Sequence, residues 1–355
     1  MALKRKRTFG GAVFALLATA AALALLISYL ALFLHPARFP LVMFFGLYFI
    51  PILLVNVLLL LIAIFRHPRA LLISVVAILP TLLLADRFFK FGREELQPAG
   101  EPVKVLTYNL GRYDAGGRKV SAEAAVSGIR SLLSDQNADI VCLQEFAIKD
   151  TADLQAYLPA YPYRAQHLFK GNRYFGNLTL NKYPIVGSAS ITFPQSRNLS
   201  LVTDIDVAGR TVRIYNCHLE SYSISFTSLV KRLSHKETFT DEMVQVHGRL
   251  REATRRRTEQ VETLLQHEEQ SSFPCFLCGD FNDTPLSYTY QQLMQTKKDS
   301  FVEAGSGMGS SYAVLWPLLR LDYILFPQYL SAGEHETLRV PWSDHYPVVT
   351  NLYFE

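Results

Sequence analysis

Two stretches near the start of the chain carry no charged side chain. Residues 9–34 and 39–65 each exceed the roughly 20 residues that a helix needs to cross a bilayer. A third apolar stretch, residues 70–86, is marginal in length and contains Pro80. We therefore expect an all-α transmembrane region over residues 1–86 with about three helices, at 9–34, 39–65 and 70–86. The first stretch is a poor signal peptide, because its apolar run is too long and a second run follows it.

Basic residues predict how these helices are oriented. Lys4–Arg7 precede the first span, and Arg66 and Arg69 lie between the second and the third. The positive-inside rule places both groups in the cytoplasm. Three spans would then put the remainder of the chain outside, so we expect a multi-pass protein of a bacterial inner membrane with a periplasmic domain. If the third stretch does not cross, the domain stays inside.

Charge and cysteine content narrow the function only slightly. The net charge of +4 over 355 residues is mild and does not by itself indicate a polyanionic partner. The four cysteines all lie in apolar runs, and no second Cys/His pair completes a zinc site. We interpret them as small buried side chains.

Beyond a polar linker at residues 87–101, the pattern changes to short runs of strand length. Runs such as VKVLTYNL, TVRIYNCHLE and LDYILF are rich in β-branched and aromatic residues and alternate in polarity. Helix-like segments lie between them at residues 121–137, where Ser121 is a candidate N-cap, and at 249–268. Many strands with a few helices predict two packed sheets with flanking helices over residues 102–355.

Polar side chains occur repeatedly where these strand-like runs end or begin. One such residue is usually a cap or a turn, but six strands with the same feature are hard to explain as turn chemistry. If the strands lie side by side in packed sheets, these side chains converge. The residues concerned are Asn109, Glu145, His218, Asp280, Asn282, Asp322, Asp344 and His345.

This set of side chains is chemically coherent. Glu145 and Asn109 offer hard oxygen ligands suited to Mg²⁺ or Mn²⁺. Asp322 and His345 can form a carboxylate–imidazole pair. The chain has no glycine-rich phosphate loop and no nucleophile elbow, so water attacking a phosphoester is the natural reaction class.

The ordered motifs TYNL, LQE, GNLTLNKYPI, CHLE, GDFND, LDYIL and SDHYPV resemble the endonuclease/exonuclease/phosphatase superfamily, which has the DNase-I-like fold. Each motif alone is weak, whereas GDFN followed by SDH is specific. The resemblance covers nearly all of residues 103–354. It implies an α/β fold, a four-layer αββα sandwich, with the site in the cleft between the sheets.

The resemblance also implies a role for each residue of the site and a Mg²⁺ or Mn²⁺ cofactor. The metal ligands would be Glu145, Asn109 and Asp344, and the catalytic residues would be His218, Asp280, Asn282, Asp322 and His345. Family members differ over whether the aspartate or the histidine is the general base. Substrate would be bound by Asn282, His218, Asn177 and Arg257.

We therefore expect a membrane-anchored, metal-dependent phosphoesterase that acts on a phosphodiester or a phosphomonoester. Its substrate would be a lipid headgroup or a nucleic acid, which leaves a membrane-anchored endonuclease acting on DNA or RNA as an alternative. A second alternative is a non-catalytic binding protein on the same fold. Residues 220–248 form a long insertion after the His218 motif and would lie beside the cleft, where substrate is selected.

Overall fold

The computed structural model describes residues 9–68, 70–92, 100–115, 120–149, 160–222 and 239–354. Basic residues used above for the orientation, Lys4–Arg7 and Arg69, lie outside the described residues, as does most of the predicted insertion. The chain divides into two compact units. One comprises residues 1–87 and 284–291, and the other comprises residues 88–283 and 292–355.

The N-terminal part of the first unit is helical. Its helices are α1 (Phe9–Leu30), α2 (Pro40–Leu47), α3 (Phe49–Arg66) and α4 (Leu71–Ile78), which continues as a 3₁₀ turn over Leu79–Leu83. By length and composition, α1 and α3 are the two described helices that could cross a membrane. The predicted second span is broken after Leu47, because the ring of Pro51 clashes with the carbonyl four residues earlier.

These helices contact each other through small and polar residues. Ala18 and Ala22 of α1 are buried, as are Ala63 of α3 and Ala77 of α4. The side-chain nitrogen of Asn56 donates to the carbonyl oxygens of Ala21 and Ile52, each at 2.9 Å, so its N–H groups are satisfied within the helices. Small residues and interhelical hydrogen bonds are the usual contacts between helices in membranes.

The predicted third span remains short in the structure. The apolar helical segment Leu71–Leu83 falls below the length that a crossing helix needs. Pro80 within it lacks the N–H that would continue the α-helix, and the last turn tightens to 3₁₀ geometry. The periplasmic placement of the domain depends on this segment, and neither that placement nor the expected multi-pass arrangement is supported.

Twelve described strands build the second unit. They are β1 (Val103–Asn109), β2 (Ile140–Ile148), β3 (Tyr163–Phe169), β4 (Tyr174–Asn181), β5 (Ile185–Thr192), β6 (Leu199–Val207), β7 (Arg210–His218), β8 (Cys275–Asp280), β9 (Lys297–Asp299), β10 (Asp322–Pro327), β11 (Ser331–Thr337) and β12 (Val348–Tyr353). The first sheet has the order β11-β12-β1-β2-β4-β3, and the second has the order β5-β6-β7-β8-β10-β9. The further helices are α5 (Ala122–Gln136), α6 (Phe239–Glu269), α7 (Tyr288–Leu293) and α8 (Ser300–Ala304).

Strand alternation places one core on each side of the first sheet. From β1, Val103 and Val105 pack against residues of the second sheet such as Ile214 and Ile324. Leu106 and Tyr108 face the other way and pack against α5. The predicted N-cap is confirmed, since the Ser121 hydroxyl accepts a hydrogen bond from the amide of Ala124.

Helix α6 contacts the outer face of the second sheet. The hydroxyl of Tyr215 on β7 lies 2.8 Å from Nδ1 of His267 on α6. Two packed sheets lie between α5 and α6, so the four-layer sandwich predicted from the sequence is confirmed. All four cysteines are buried and unpaired, as expected.

His335 on β11 predicts how stability depends on pH. Burial lowers the pKa of its imidazole to about 3. An unfolded histidine titrates near pH 6.5, so the unfolded chain binds more protons between these two values. The contribution of His335 to the free energy of unfolding is therefore fully present above about pH 6.5. It falls as the pH drops, by up to about 1.4 kcal/mol per pH unit.

The measurement is the thermal unfolding midpoint of the full chain in detergent between about pH 6.5 and pH 4.5. We expect acidification to lower the unfolding midpoint of His335→Gln less than that of the wild type, because glutamine does not titrate. Equal losses in both proteins would contradict the prediction.

Candidate functional site

Three candidate residues form one row across the second sheet. β7 and β8 are parallel and place His218 opposite Asp280, whereas β8 and β10 are antiparallel and place Asp280 opposite Asp322. Gly279 makes the close approach possible, because a Cβ there would lie 1.9 Å from the carbonyl oxygen of Cys217. The register of three strands therefore brings these side chains together.

The first sheet contributes Asn109 and Glu145 to the same place. A bulge in the pairing of β2 with β4 lies between Leu143 and Phe146, and Glu145 within it has a left-handed φ of 49°. Bulges of this kind redirect side chains at functional sites. The amide of Asn109 donates to Oδ2 of Asp280 at 2.8 Å, which joins the two sheets directly.

Asp280 is an enclosed carboxylate, with only 1% of its surface exposed. Asn282 has a left-handed φ of 52°. Its backbone N–H donates to Oδ1 of Asp280 at 2.8 Å, and its side-chain amide donates to Oδ2 of Asp280 at 3.1 Å. Burial raises the pKa of the Asp280 carboxyl, and the neighbouring His345 opposes that shift. The result is a rigid carboxylate with increased basicity.

The predicted pair of Asp322 and His345 is present. Nδ1 of His345 lies 2.8 Å from Oδ2 of Asp322, and Nε2 lies 3.7 Å from Oδ2 of Asp280. Burial lowers the pKa of His345, but the negative charges of Asp322 and Asp280 outweigh burial and hold it well above its ordinary value. The two carboxylates therefore favour the protonated form of the imidazole.

His218 faces the carboxylates without a close contact. Its Nε2 lies 3.6 Å from Oε1 of Glu145 and 4.0 Å from Oδ2 of Asp280. This buried nitrogen has no hydrogen-bond partner among the residues that the structure describes. Two carboxylates therefore lie near His218, in a different sheet and on a neighbouring strand. A donor left open beside carboxylates suits a phosphate oxygen.

The donor set fits a hard divalent cation. Glu145 and Asp344 offer carboxylate oxygens, and Oδ1 of Asn109 retains a lone pair beside its bond from the Gly111 N–H. Burial raises the pKa of Asp344, and the charges of Glu145 and Asp280 raise it further against the effect of His345. Such an excess of negative charge is what a bound Mg²⁺ or Mn²⁺ would neutralise.

A second group, Asp280, Asp322 and His345, also has ligand atoms within 4.8 Å of one another. Nδ1 of this imidazole is already engaged by Asp322, and its two carboxylate neighbours favour its protonated form. A protonated imidazole has no lone pair for a metal. The group is better suited to proton handling than to metal binding.

Three residues expected to contact substrate have other roles in the structure. Both amide hydrogens of Asn282 are used, one by the Leu219 carbonyl at 2.9 Å and one by Asp280, so it orients Asp280 rather than offering a free donor. Asn177 is buried, and its amide donates to the backbone carbonyl of Asn216 at 2.8 Å.

Arg257 likewise does not reach the cleft. Its side chain is fully buried, with Nη1 3.1 Å from Oδ2 of Asp283 and 3.1 Å from the hydroxyl of Tyr222. Asp283 directly follows Asn282, so Arg257 supports the loop that carries the site. The expectation of direct substrate contact is therefore wrong for Asn177 and Arg257.

Sequence reasoning missed two residues near the metal ligands. Nε of Arg112 lies 3.0 Å from Oε2 of Glu145. Gly111 brings the backbone so close to Asp344 that a Cβ would lie 2.5 Å from its Oδ1. The sequence around them, NLGRY, gives no periodic signal, and only the glycine beside Asn109 could have indicated a tight turn.

Comparisons with known proteins agree with this geometry. The protein-family model described as Endonuclease/Exonuclease/phosphatase family matches residues 106–345, which include every candidate residue of the site. Residues 11–88 match a second model, a domain of unknown function (DUF8431). No curated protein matches the chain.

Solved structures share the fold at low identity. An endonuclease/exonuclease/phosphatase from Beutenbergia cavernae is 18% identical, with 72% of each chain covered and a TM-score of 0.52. The human Nocturnin catalytic domain with bound sulfate is 18% identical over 74% of this chain and 97% of that chain, with a TM-score of 0.52. Humanized TDP2 of D. rerio is 17% identical over 72% and 100%, also with a TM-score of 0.52.

The buried pair of Arg257 and Asp283 predicts a large difference between neighbouring arginines. Arg257→Gln leaves the Asp283 carboxylate buried without its cation, which should cost about 3–5 kcal/mol of stability. Arg256→Gln is the matched control. It removes partly exposed contacts with Glu252 and Glu220 and should cost less than the loss of the buried pair, about 1 kcal/mol.

The readout is unfolding of the full chain in detergent by urea. Adding Asp283→Asn to Arg257→Gln should recover part of the loss, because no unpaired charge then remains. Equal stabilities of the Arg257→Gln and Arg256→Gln proteins would show that the buried pair does not support the loop.

Proposed function

Because the chain belongs to the endonuclease/exonuclease/phosphatase family, whose members hydrolyse phosphoesters, we propose that it is a membrane-anchored, metal-dependent phosphoesterase. The observation that carries the proposal is the environment of Asp280. Its carboxylate is buried, is held by amides from both sheets, and lies between two histidines. A scaffold protein would have no need to bury this many ionisable groups around one carboxylate.

The side chains suggest how each contributes to hydrolysis. Asp280 takes the proton from the attacking water, because burial raises its pKa, whereas the carboxylates beside His345 favour the protonated form of that imidazole. This favours the aspartate over the histidine as the general base. As the new phosphorus–oxygen bond forms, the bond to the leaving oxygen breaks on the opposite side, and that oxygen takes a proton from solvent.

Other groups position and stabilise the phosphate. His218 donates through Nε2 to a non-bridging oxygen, and the cationic His345 opposes the negative charge that develops nearby. Asn109 and Asn282 keep Asp280 oriented. A divalent cation held by Glu145, Asp344 and Asn109 would supply charge neutralisation at the phosphate.

The N-terminal helices support membrane anchoring. In the most apolar windows of α1 and α3, only 28% and 17% of the residues are buried, whereas a core helix of a soluble protein is mostly buried. Their outward side chains are large and apolar and include Leu16, Leu23, Leu54 and Leu58. A lipid environment would cover this surface.

The test uses the full chain in nanodiscs with Mg²⁺ or Mn²⁺. Plasmid DNA and vesicles of phosphatidylcholine with sphingomyelin are offered side by side. Asp280→Asn is the inactive variant, and Arg164→Gln, on the exposed edge strand β3, is the matched surface control. We expect hydrolysis that is lost on chelation and falls by about 10²–10⁴-fold in Asp280→Asn, the range for loss of a general base.

The pattern of products identifies the substrate class. Release of headgroups from the vesicles without nicking of the plasmid supports a lipid phosphodiesterase. Nicking of the plasmid supports the endonuclease alternative. Hydrolysis that survives both chelation and Asp280→Asn would contradict the proposal, as would the absence of metal binding.

A further inference from the structure

We propose that Arg112 and Arg197 form a binding site for a second anionic group of the substrate, beside the phosphate that is hydrolysed. The inference rests on the proposed function and adds a substrate class, namely molecules with two phosphates in proximity. Both arginines lie over the ring of Phe175. The guanidinium of Arg112 lies 4.6 Å from the centroid of Phe175, and that of Arg197 lies 5.7 Å from the same centroid.

The position of Arg112 links this ring to the metal ligands. Its guanidinium spans from the face of Phe175 to Oε2 of Glu145, while its side chain remains 57% exposed. The guanidinium therefore lies at the boundary between the cleft and solvent. An anion bound next to the hydrolysed phosphate would reach it without any rearrangement of the core.

Arg197 lies just before β6 of the second sheet, whereas Phe175 is on β4 of the first sheet. Arg197 is exposed, and its loop is fixed to the end of β7, because the amide of the next residue, Asn198, donates to the Leu219 carbonyl at 2.8 Å. The distances from the two guanidinium groups to this centroid add up to about 10 Å, so the groups lie no farther apart than that. Two cationic side chains therefore flank one aromatic ring at the cleft.

The backbone that presents Arg112 is strained. Gly111, Arg112 and Tyr113 have consecutive left-handed φ values of 52°, 53° and 68°. Each residue other than glycine costs roughly 1–2 kcal/mol in this conformation. The exposed ion pair with Glu145 contributes too little to offset two such residues. Strain of this kind is retained at functional sites, where it directs a side chain.

The charges also indicate more than one phosphate. A phosphodiester carries a single negative charge, and His218, His345 and a divalent cation already face it. Arg112 is paired with Glu145, and the exposed Arg197 adds a further positive charge at the same ring. Arginine forms bidentate hydrogen bonds with phosphate, so a second phosphate is the natural partner.

Glu145 connects this second site to the metal. Without a cation, Arg112 is the nearest positive charge on that carboxylate. A cation bound by Glu145 competes with the guanidinium and leaves it available to an anion. Removing Arg112 should therefore tighten Mg²⁺ binding while weakening the second-anion site.

The test compares two probes that differ by one phosphate, thymidine 5′-monophosphate and thymidine 3′,5′-bisphosphate. Binding to the full chain in nanodiscs is measured by calorimetry with Ca²⁺ present, so the readout needs no turnover. We expect the bisphosphate to bind about tenfold more tightly to the wild type. Arg112→Gln and Arg197→Gln should each reduce that preference to less than about threefold, and Arg164→Gln should retain it.

Titration with Mg²⁺ alone gives the second readout, in which Arg112→Gln should bind the ion more tightly than the wild type. A wild type without preference for the bisphosphate would overturn the inference, as would a preference unchanged in both variants. Loss of the preference only in Arg112→Gln and Arg197→Gln, in a chain whose hydrolysis survives both chelation and Asp280→Asn, would uphold the anion site and refute the proposed function alone.

Discussion

The hydrogen bond from Asn109 to Asp280 joins the two sheets at the point where the chemistry is assembled. It exists because the sheets pack face to face through Val105, Ile214 and their neighbours, which brings the ends of β1 and β8 together. Burial then raises the basicity of Asp280, and the same burial requires that every polar neighbour be oriented. The site is thus a consequence of how the two sheets meet.

The core also supports local strain. Glu145, Asn282 and Arg112 all have left-handed φ values without being glycine, and all three lie at the site. Such residues cost of order 1–3 kcal/mol each and persist only where surrounding structure fixes them. Regular strands on either side of Glu145 and the buried pair behind Asn282, formed by Arg257 and Asp283, provide that support.

Sequence patterns predicted the layers and the convergence of the strand-end residues, because alternation and strand ends are local properties. They failed where function depends on a residue's partners across the fold. Arg257 in a basic helix reads as exposed until its contact with Asp283 is seen. Arg112 reads as a loop arginine until the bulge at Glu145 is known. The break after Leu47, in contrast, could have been predicted from Pro51.

We propose that Glu145, Asp344 and Asn109 hold the cation, while Asp280, Asp322 and His345 handle protons. Anomalous diffraction from crystals of the full chain grown with Mn²⁺ would locate the cation. We expect a manganese peak between Glu145 and Asp344 that is lost in Glu145→Gln. A peak ligated by His345 and Asp322, or one that persists without Glu145, would contradict it.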